Sequence, residues 1–298
     1  MTANQNRNQL ALYLLLTLVF SSVFYCLILK SGHIASADGL YVVGLMWSPA
    51  MAAMVACKSF GQTLDRLGWK WGETRYQIVS YFTPLAYATI TYLAVWLFHR
   101  GGYYDHDFIA RTAQRFGLGA MPQWATIAIY FVLSATAGMV LGCARALGEE
   151  IGWRGFLVPQ LAKRFSFTTT ALVSGLIWSL WHYPVLIFAD YSSNTPVWYE
   201  LTCFTAMVVS SSFIYTWMRL KSGNLWTCTV LHASHNLFIQ RFFDPMTLDT
   251  GRTRYFIGEF GAVLPLVTIG FAFYFWTRRH ELPERTGPSL ASFDRTAL

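Results

Sequence analysis

Gly142-Cys-Ala-Arg-Ala-Leu-Gly-Glu149-Glu150-Ile-Gly-Trp-Arg154 sets two adjacent carboxylates in a chain whose flanking segments are strongly apolar. Residues before it, from about 124, form one hydrophobic run, and Ile151 to Leu161 resumes another before Lys163-Arg164. A carboxylate at bilayer depth costs about 2.5–3.5 kcal/mol on insertion scales. Two side by side need a water-filled cavity or partners inside a bundle. The bland alternative is a pair of interfacial charges balanced by Arg145 and Arg154.

Working outward, apolar windows long enough to cross a hydrocarbon core occur eight times. They lie near 10–30, 40–57, 77–98, 124–145, 168–189, 197–218, 224–241 and 259–277. The fourth continues past its end, so one long helix is expected from about 126 to 162, bent or broken near Pro159. The chain is 54% hydrophobic, 17% aromatic and only 12% charged, whereas soluble domains carry roughly 25% charged residues. The expected fold is all-α: a polytopic membrane bundle of about eight transmembrane helices. Residues 1–280 form one membrane domain, whose candidate core lies at about 124–241. Residues 281–298, with two Pro and scattered charge, read as a disordered cytoplasmic tail. The segment 99–123 has room for a short interfacial helix.

A net charge of +7 does not indicate nucleic acid, because the basic residues form no stripe or cluster. They punctuate the apolar segments, as topology signals do. With the N-terminus inside, 15 of the 22 Lys and Arg fall on or toward the cytoplasmic side. A multi-pass protein of the cell membrane with both termini cytoplasmic is the expectation. The five cysteines have no metal-ribbon spacing and read as small buried hydrophobes. The first span is too long for a signal peptide's apolar region and has no clear small-x-small cleavage site, so it reads as a retained helix.

Polar groups recur on the later spans: Glu149-Glu150-x-x-x-Arg154, Trp178-x-x-x-His182 and His232-Ala-Ser-His-Asn236. Residues four apart share a helix face, so Glu150 can pair with Arg154, and His232 projects with Asn236. If the fourth and fifth spans turn near Phe165-Ser166, Glu149 and His182 both lie roughly 24 Å along their helices from it. His232 is only about nine residues from the Ser222-Gly223 turn, roughly 14 Å, so a tilt or a dipping turn must bring it level. His235 sits about 60° around the helix from His232 and is a neighbour or an alternate ligand. Taken alone, His182 reads equally well as a core histidine bonded to a backbone carbonyl. Gly138-x-x-x-Gly142 and Gly148-x-x-x-Gly152 have the spacing of close membrane-helix contacts.

A buried glutamate can take a proton from water. A nearby imidazole can hold that water, or help bind a metal that acidifies it. An amide or second imidazole can donate to an oxyanion. These are the parts for hydrolysing an amide bond. No His-Glu-x-x-His helix is present, which excludes the ordinary soluble zinc-protease arrangement.

Glu-Glu-x-x-x-Arg, aromatic-x-x-x-His and His-x-x-x-Asn, in this order on successive membrane helices, resemble the CPBP family. That family comprises the type II CaaX prenyl endopeptidases and the bacterial Abi-like proteins of bacteriocin processing and immunity. The resemblance implies Glu149 as the water-activating base, His182 as the residue positioning that water, and His232 and Asn236 as partners of the scissile carbonyl. It implies that Glu150 and Arg154 form a structural pair, in an eight-helix bundle whose cavity opens to the cytoplasm. If a divalent metal such as zinc takes part, Glu149, His182 and His232 are its expected ligands. The implied substrate is a membrane-associated peptide or protein, met within the lipid bilayer. A non-catalytic relative that binds a partner or confers bacteriocin immunity is the second reading, and a transporter with intramembrane charges the third. One departure stands out: the second motif usually opens with Phe, and here with Trp178, a change expected to alter pocket shape more than chemistry.

Overall fold

The computed structural model describes residues 3–119 and 121–283. All but the first three residues of the expected tail at 281–298 lie outside this range. Among the described residues the chain is helical, and its one β feature is an isolated bridge between Gly102 and Leu248. The helices are α1 (Ala3–Ser31), α2 (Leu40–Ser59), α3 (Thr74–Leu97), α4 (His106–Arg115) and α5 (Gln123–Ala162). They continue with α6 (Phe167–Phe188), α7 (Val197–Ser222), α8 (Trp226–Asn236) and α9 (Val263–Thr277). This is the expected polytopic helical bundle.

Among the described residues, six helices are long and apolar enough to span a membrane: α1, α2 with the short turn before it, α3, α5, α6 and α7. The other two expected spans are helical but shorter. Regular α8 is 11 residues long, because its ladder widens into a π-helical stretch at Leu237–Phe243. Helix α9 has 15 residues. The short helix expected within 99–123 is α4, whose first turn is capped where Asp105 accepts a hydrogen bond from Phe108 N at 2.9 Å.

Helix α5 does not break at Pro159. It widens into π-helical turns at Ser134–Gly138 and Ile151–Leu157. A proline ring clashes with the carbonyl four residues earlier and offers no N–H. Widening the preceding turn, which contains that carbonyl at Gly155, relieves both problems without ending the helix. The expected turn at Phe165-Ser166 is present, and Ser166 caps α6 by accepting from Thr169 N at 3.2 Å.

Two features set the depth of the polar motifs. First, α2 lies directly on α5, because any side chain at Gly148 would meet the Trp47 ring at 2.7 Å and one at Gly152 would overlap Pro49. Second, the turn between α7 and α8 dips into the bundle. Gly223 takes the left-handed conformation (φ 70°) to end α7. Leu225 N then donates to Gly68 O at 2.8 Å and Trp226 Nε1 to Trp69 O at 2.8 Å, within the folded α2–α3 connection. Arg219 Nε donates to Arg154 O at 2.7 Å, tying the end of α7 to the middle of α5. Helix α8 therefore starts deep, and His232 reaches the level of Glu150.

Candidate active site

Glu149 and Glu150 are both buried, 2% and 0% exposed, yet face different neighbours. Glu149 Oε2 accepts from Trp178 Nε1 on α6 at 2.8 Å. The backbone oxygen of the same Trp178 lies 2.9 Å from His182 Nδ1. A carbonyl only accepts, so Nδ1 of His182 carries the proton and Nε2 is left with its lone pair. Trp178 thus fixes the carboxylate with its side chain and the imidazole with its backbone. Glu149 and His182 line one cavity of about 150 Å³, and His232 and Asn236 sit on its wall. A water occupies roughly 30 Å³ of liquid volume, so the space holds a small cluster of them or part of a substrate.

Glu150 points away from this space. Its Oε1 accepts from Arg154 Nη1 at 2.9 Å and lies 2.8 Å from His232 Nδ1. Arg154 is 1% exposed, and its guanidinium lies between the Trp178 and Tyr215 rings, 4.1 and 4.0 Å from their centroids. The pairing of Glu150 with Arg154 stands as the sequence suggests. Through it His232 is held by Nδ1, leaving Nε2 for the cavity.

Among the described residues, no three His, Cys, Asp or Glu side chains stand close enough to hold a metal ion between them. Oε2 of Glu149 is turned to an indole, Nδ1 of His182 to a carbonyl, and Nδ1 of His232 to a carboxylate. Oε1 of Glu149 and Nε2 of His182 and His232 are left toward the cavity, and these atoms would hold a divalent ion if one is used.

Two site features were not legible in the motifs. Trp178 does more than shape the pocket, since a phenylalanine there has no N–H to give Glu149. The second is another acid–imidazole pair on the cavity wall: His235 Nε2 and Glu259 Oε1 lie 3.0 Å apart. His235 Nδ1 is 2.6 Å from Tyr87 Oη, and Tyr191 Oη donates to Glu259 Oε2. Both ring nitrogens and both carboxylate oxygens are engaged, so this pair ties α3, α8 and two loops together. His235 is not an alternate ligand here. The only sequence signal was an acid, Glu259, at the edge of the last apolar window.

The cavity runs from Ser211 and Tyr215, inside the bundle, to Ile34, Tyr191 and Glu259 in the loops after α1, α6 and α8. The described ends of the chain, near Gln9 and Glu281, lie at the other end. Gln9 Nε2 bonds Ala56 O at 3.2 Å beside Gln160, and Lys221 pairs with Glu281 at 3.7 Å. The mouth and these described ends are on opposite faces. The two expectations of cytoplasmic termini and a cytoplasmic mouth therefore exclude each other.

Comparison with known proteins bears on the class. Residues 124–238 match the family model described as type II CAAX prenyl endopeptidase Rce1-like. A stretch of 79 residues is 39% identical to CAAX prenyl protease 2 of Methanococcus maripaludis, covering 25% of this chain and 28% of that relative's length. The resemblance read from the three motifs is thus found across the segment that carries Glu149, His182, His232 and Asn236.

Proposed function

We propose that this protein is an intramembrane endopeptidase of the CaaX-protease kind, hydrolysing a peptide bond of a membrane-associated substrate. The observation that carries this is the double role of Trp178, which sets Glu149 and His182 on one cavity beside His232 and Asn236. A water held between Glu149 Oε1 and His182 Nε2 gives its proton to the carboxylate as its oxygen attacks the substrate carbonyl. The Asn236 amide donates to the oxyanion that forms, with His232 Nε2 beside it. Glu149 then returns the proton to the departing nitrogen as the C–N bond breaks. Glu150 and Arg154 touch none of the reacting atoms and hold His232.

In this scheme the reaction proceeds without a metal. Cleavage of a prenylated peptide by purified protein should therefore survive a strong chelator and be abolished by Glu149→Gln or His182→Ala. Loss of activity with the chelator, restored by zinc, would refute the metal-free scheme. Full activity in either variant would remove the assignment of the base or its partner. A cellular phenotype that persists in both would favour the non-catalytic, partner-binding reading.

For orientation, the charge bias supports cytoplasmic termini in the cell membrane, and the cavity mouth then faces the opposite side. Reporter fusions at both termini, read with labelling of a cysteine placed at Ile34, test this. A reporter outside the cytoplasm would reverse it.

A further inference from the structure

Tyr215 of α7 stands on the inner wall of the catalytic cavity, 2% exposed, and its Oη has no hydrogen-bond partner among the described residues. Tyr13 Oη and Trp153 Nε1 also lack partners but are fully enclosed, whereas Tyr215 Oη keeps an opening. The Tyr215 ring is fixed from three sides. The Arg154 guanidinium lies 4.0 Å from its centroid, the Trp178 ring packs edge-on at 5.4 Å, and the His232 ring stands perpendicular to it at 6.3 Å. A buried hydroxyl without a partner is costly. A donor held this firmly at a cavity wall therefore implies a partner that arrives in the cavity.

We propose that Tyr215 is a further catalytic residue, whose O–H donates to the oxyanion formed at the scissile carbonyl. This rests on the endopeptidase reading above. The need for a second donor comes from the tautomer of His232. Its Nδ1 lies 2.8 Å from the Glu150 carboxylate, which only accepts, so Nδ1 carries the proton. The neutral ring then presents a lone pair at Nε2 and has nothing to donate to an oxyanion. That leaves the Asn236 amide alone, whereas developing charge is stabilised by each preorganised donor aimed at it. The other donors on the wall are committed. Trp178 donates to Glu149, Trp181 to Ser21, Tyr191 to Glu259 and Ser211 to Met207 Sδ, while Gln240 sits out at the mouth on Tyr191 Oη. Tyr215 is in contact with His232 ring to ring, and His232 shares a helix face with Asn236. The hydroxyl and the amide thus flank one stretch of the cavity. Tyr215 keeps its proton throughout, since the proton of the attacking water passes to Glu149.

The test compares the full-length protein with Tyr215→Phe in detergent, on one prenylated peptide. The substitution keeps the ring and removes only an unpartnered hydroxyl, so the melting temperature should not change. Loss of one oxyanion donor should lower kcat by about 10²-fold, with KM little altered. A phosphonate analogue of the peptide carries a tetrahedral anion in place of the scissile carbonyl. Its binding should weaken in Tyr215→Phe by the same factor as kcat/KM falls, while adding Tyr215→Phe to Glu149→Gln leaves binding of the uncut peptide as it was. An unchanged kcat overturns the inference, as does a raised KM with kcat kept, which would make the hydroxyl a ground-state contact. A lower melting temperature with equal weakening of peptide and phosphonate would assign the hydroxyl to a structural water, and also overturns it. The endopeptidase reading fails separately, if the unaltered protein does not cleave the peptide.

Discussion

The adjacent glutamates should respond in opposite ways to the same isosteric change. Glu149→Gln keeps an oxygen that can accept from Trp178 Nε1, and the side chain faces a solvent cavity. Its fold should survive with less than about 1 kcal/mol lost, while the missing base lowers kcat by about 10²–10⁴-fold. Glu150→Gln strips the counter-charge from Arg154, which is 1% exposed and has no other carboxylate partner. Breaking a buried pair from one side costs about 3–5 kcal/mol. The Trp178 and Tyr215 faces, at 4.1 and 4.0 Å, remain against the guanidinium. At about 0.5–2 kcal/mol each, they place the loss near the lower end, about 3 kcal/mol. That is a large share of a total stability of about 5–15 kcal/mol. The double variant Glu150→Gln/Arg154→Met removes both charges and should recover most of the stability, because apolar replacement of a whole buried pair is close to neutral. Thermal unfolding in detergent, run beside peptide cleavage, reads both quantities. The reasoning is refuted if Glu149→Gln melts as early as Glu150→Gln, or if Glu150→Gln melts like the unaltered protein.

Three further outcomes are expected. Trp178→Phe keeps the ring over Arg154 and the carbonyl on His182 but deletes the donor to Glu149; a bond to a charged acceptor is worth about 1.5–3 kcal/mol. It should lower kcat by about tenfold or more with KM little changed, as measured by initial rates. Gly152→Ala would push a methyl group into Pro49 of α2; overpacking of this kind costs about 1–3 kcal/mol, seen as a lower melting temperature. Asp190, in the loop after α6, accepts from Ile34 N at 2.6 Å, and that bond, with His33 beside it, holds its carboxyl below the usual value. A lowered value means the tie is intact above the ordinary carboxylate range and is lost only as pH falls through the lower one. Protease nicking of residues 32–39 should thus be constant from pH 8 to 5, and higher throughout in Asp190→Ala.

The bundle was legible because insertion into lipid demands long apolar runs, and each of the eight became a helix. What composition could not convey is how far each helix stays regular. The wide turns at 151–157 and 237–243 each precede a proline, Pro159 and Pro245, and each contains the carbonyl four residues before it, at Gly155 and Arg241, yet neither widening changes hydrophobicity. Counting residues from turns placed Glu149 and His182 together correctly, since the Phe165-Ser166 turn lies at the end of a plain hairpin. The same count left His232 short, because the α7–α8 turn is pulled inward by Gly68, Trp69 and Arg154. These bonds use backbone oxygens, which every residue has, so no pattern of side chains announces them. Trp178 was misjudged for a related reason: its indole N–H matters only because Glu149 lies opposite, a fact of tertiary structure.

Orientation shows how a sequence rule and a site can pull apart. The positive-inside bias counts charges near membrane borders, yet part of the count here serves the interior. Arg154 is sealed between two rings and Arg219 is spent on the Arg154 carbonyl. Arg145 lines a groove beside the cavity. Removing these three from the cytoplasmic total leaves 12 basic residues against the same seven, so the bias survives but narrows. The loops around the mouth, held by Asp190 on one side and by the Tyr191–Glu259–His235 chain on the other, carry no excess of either sign that would independently fix their side.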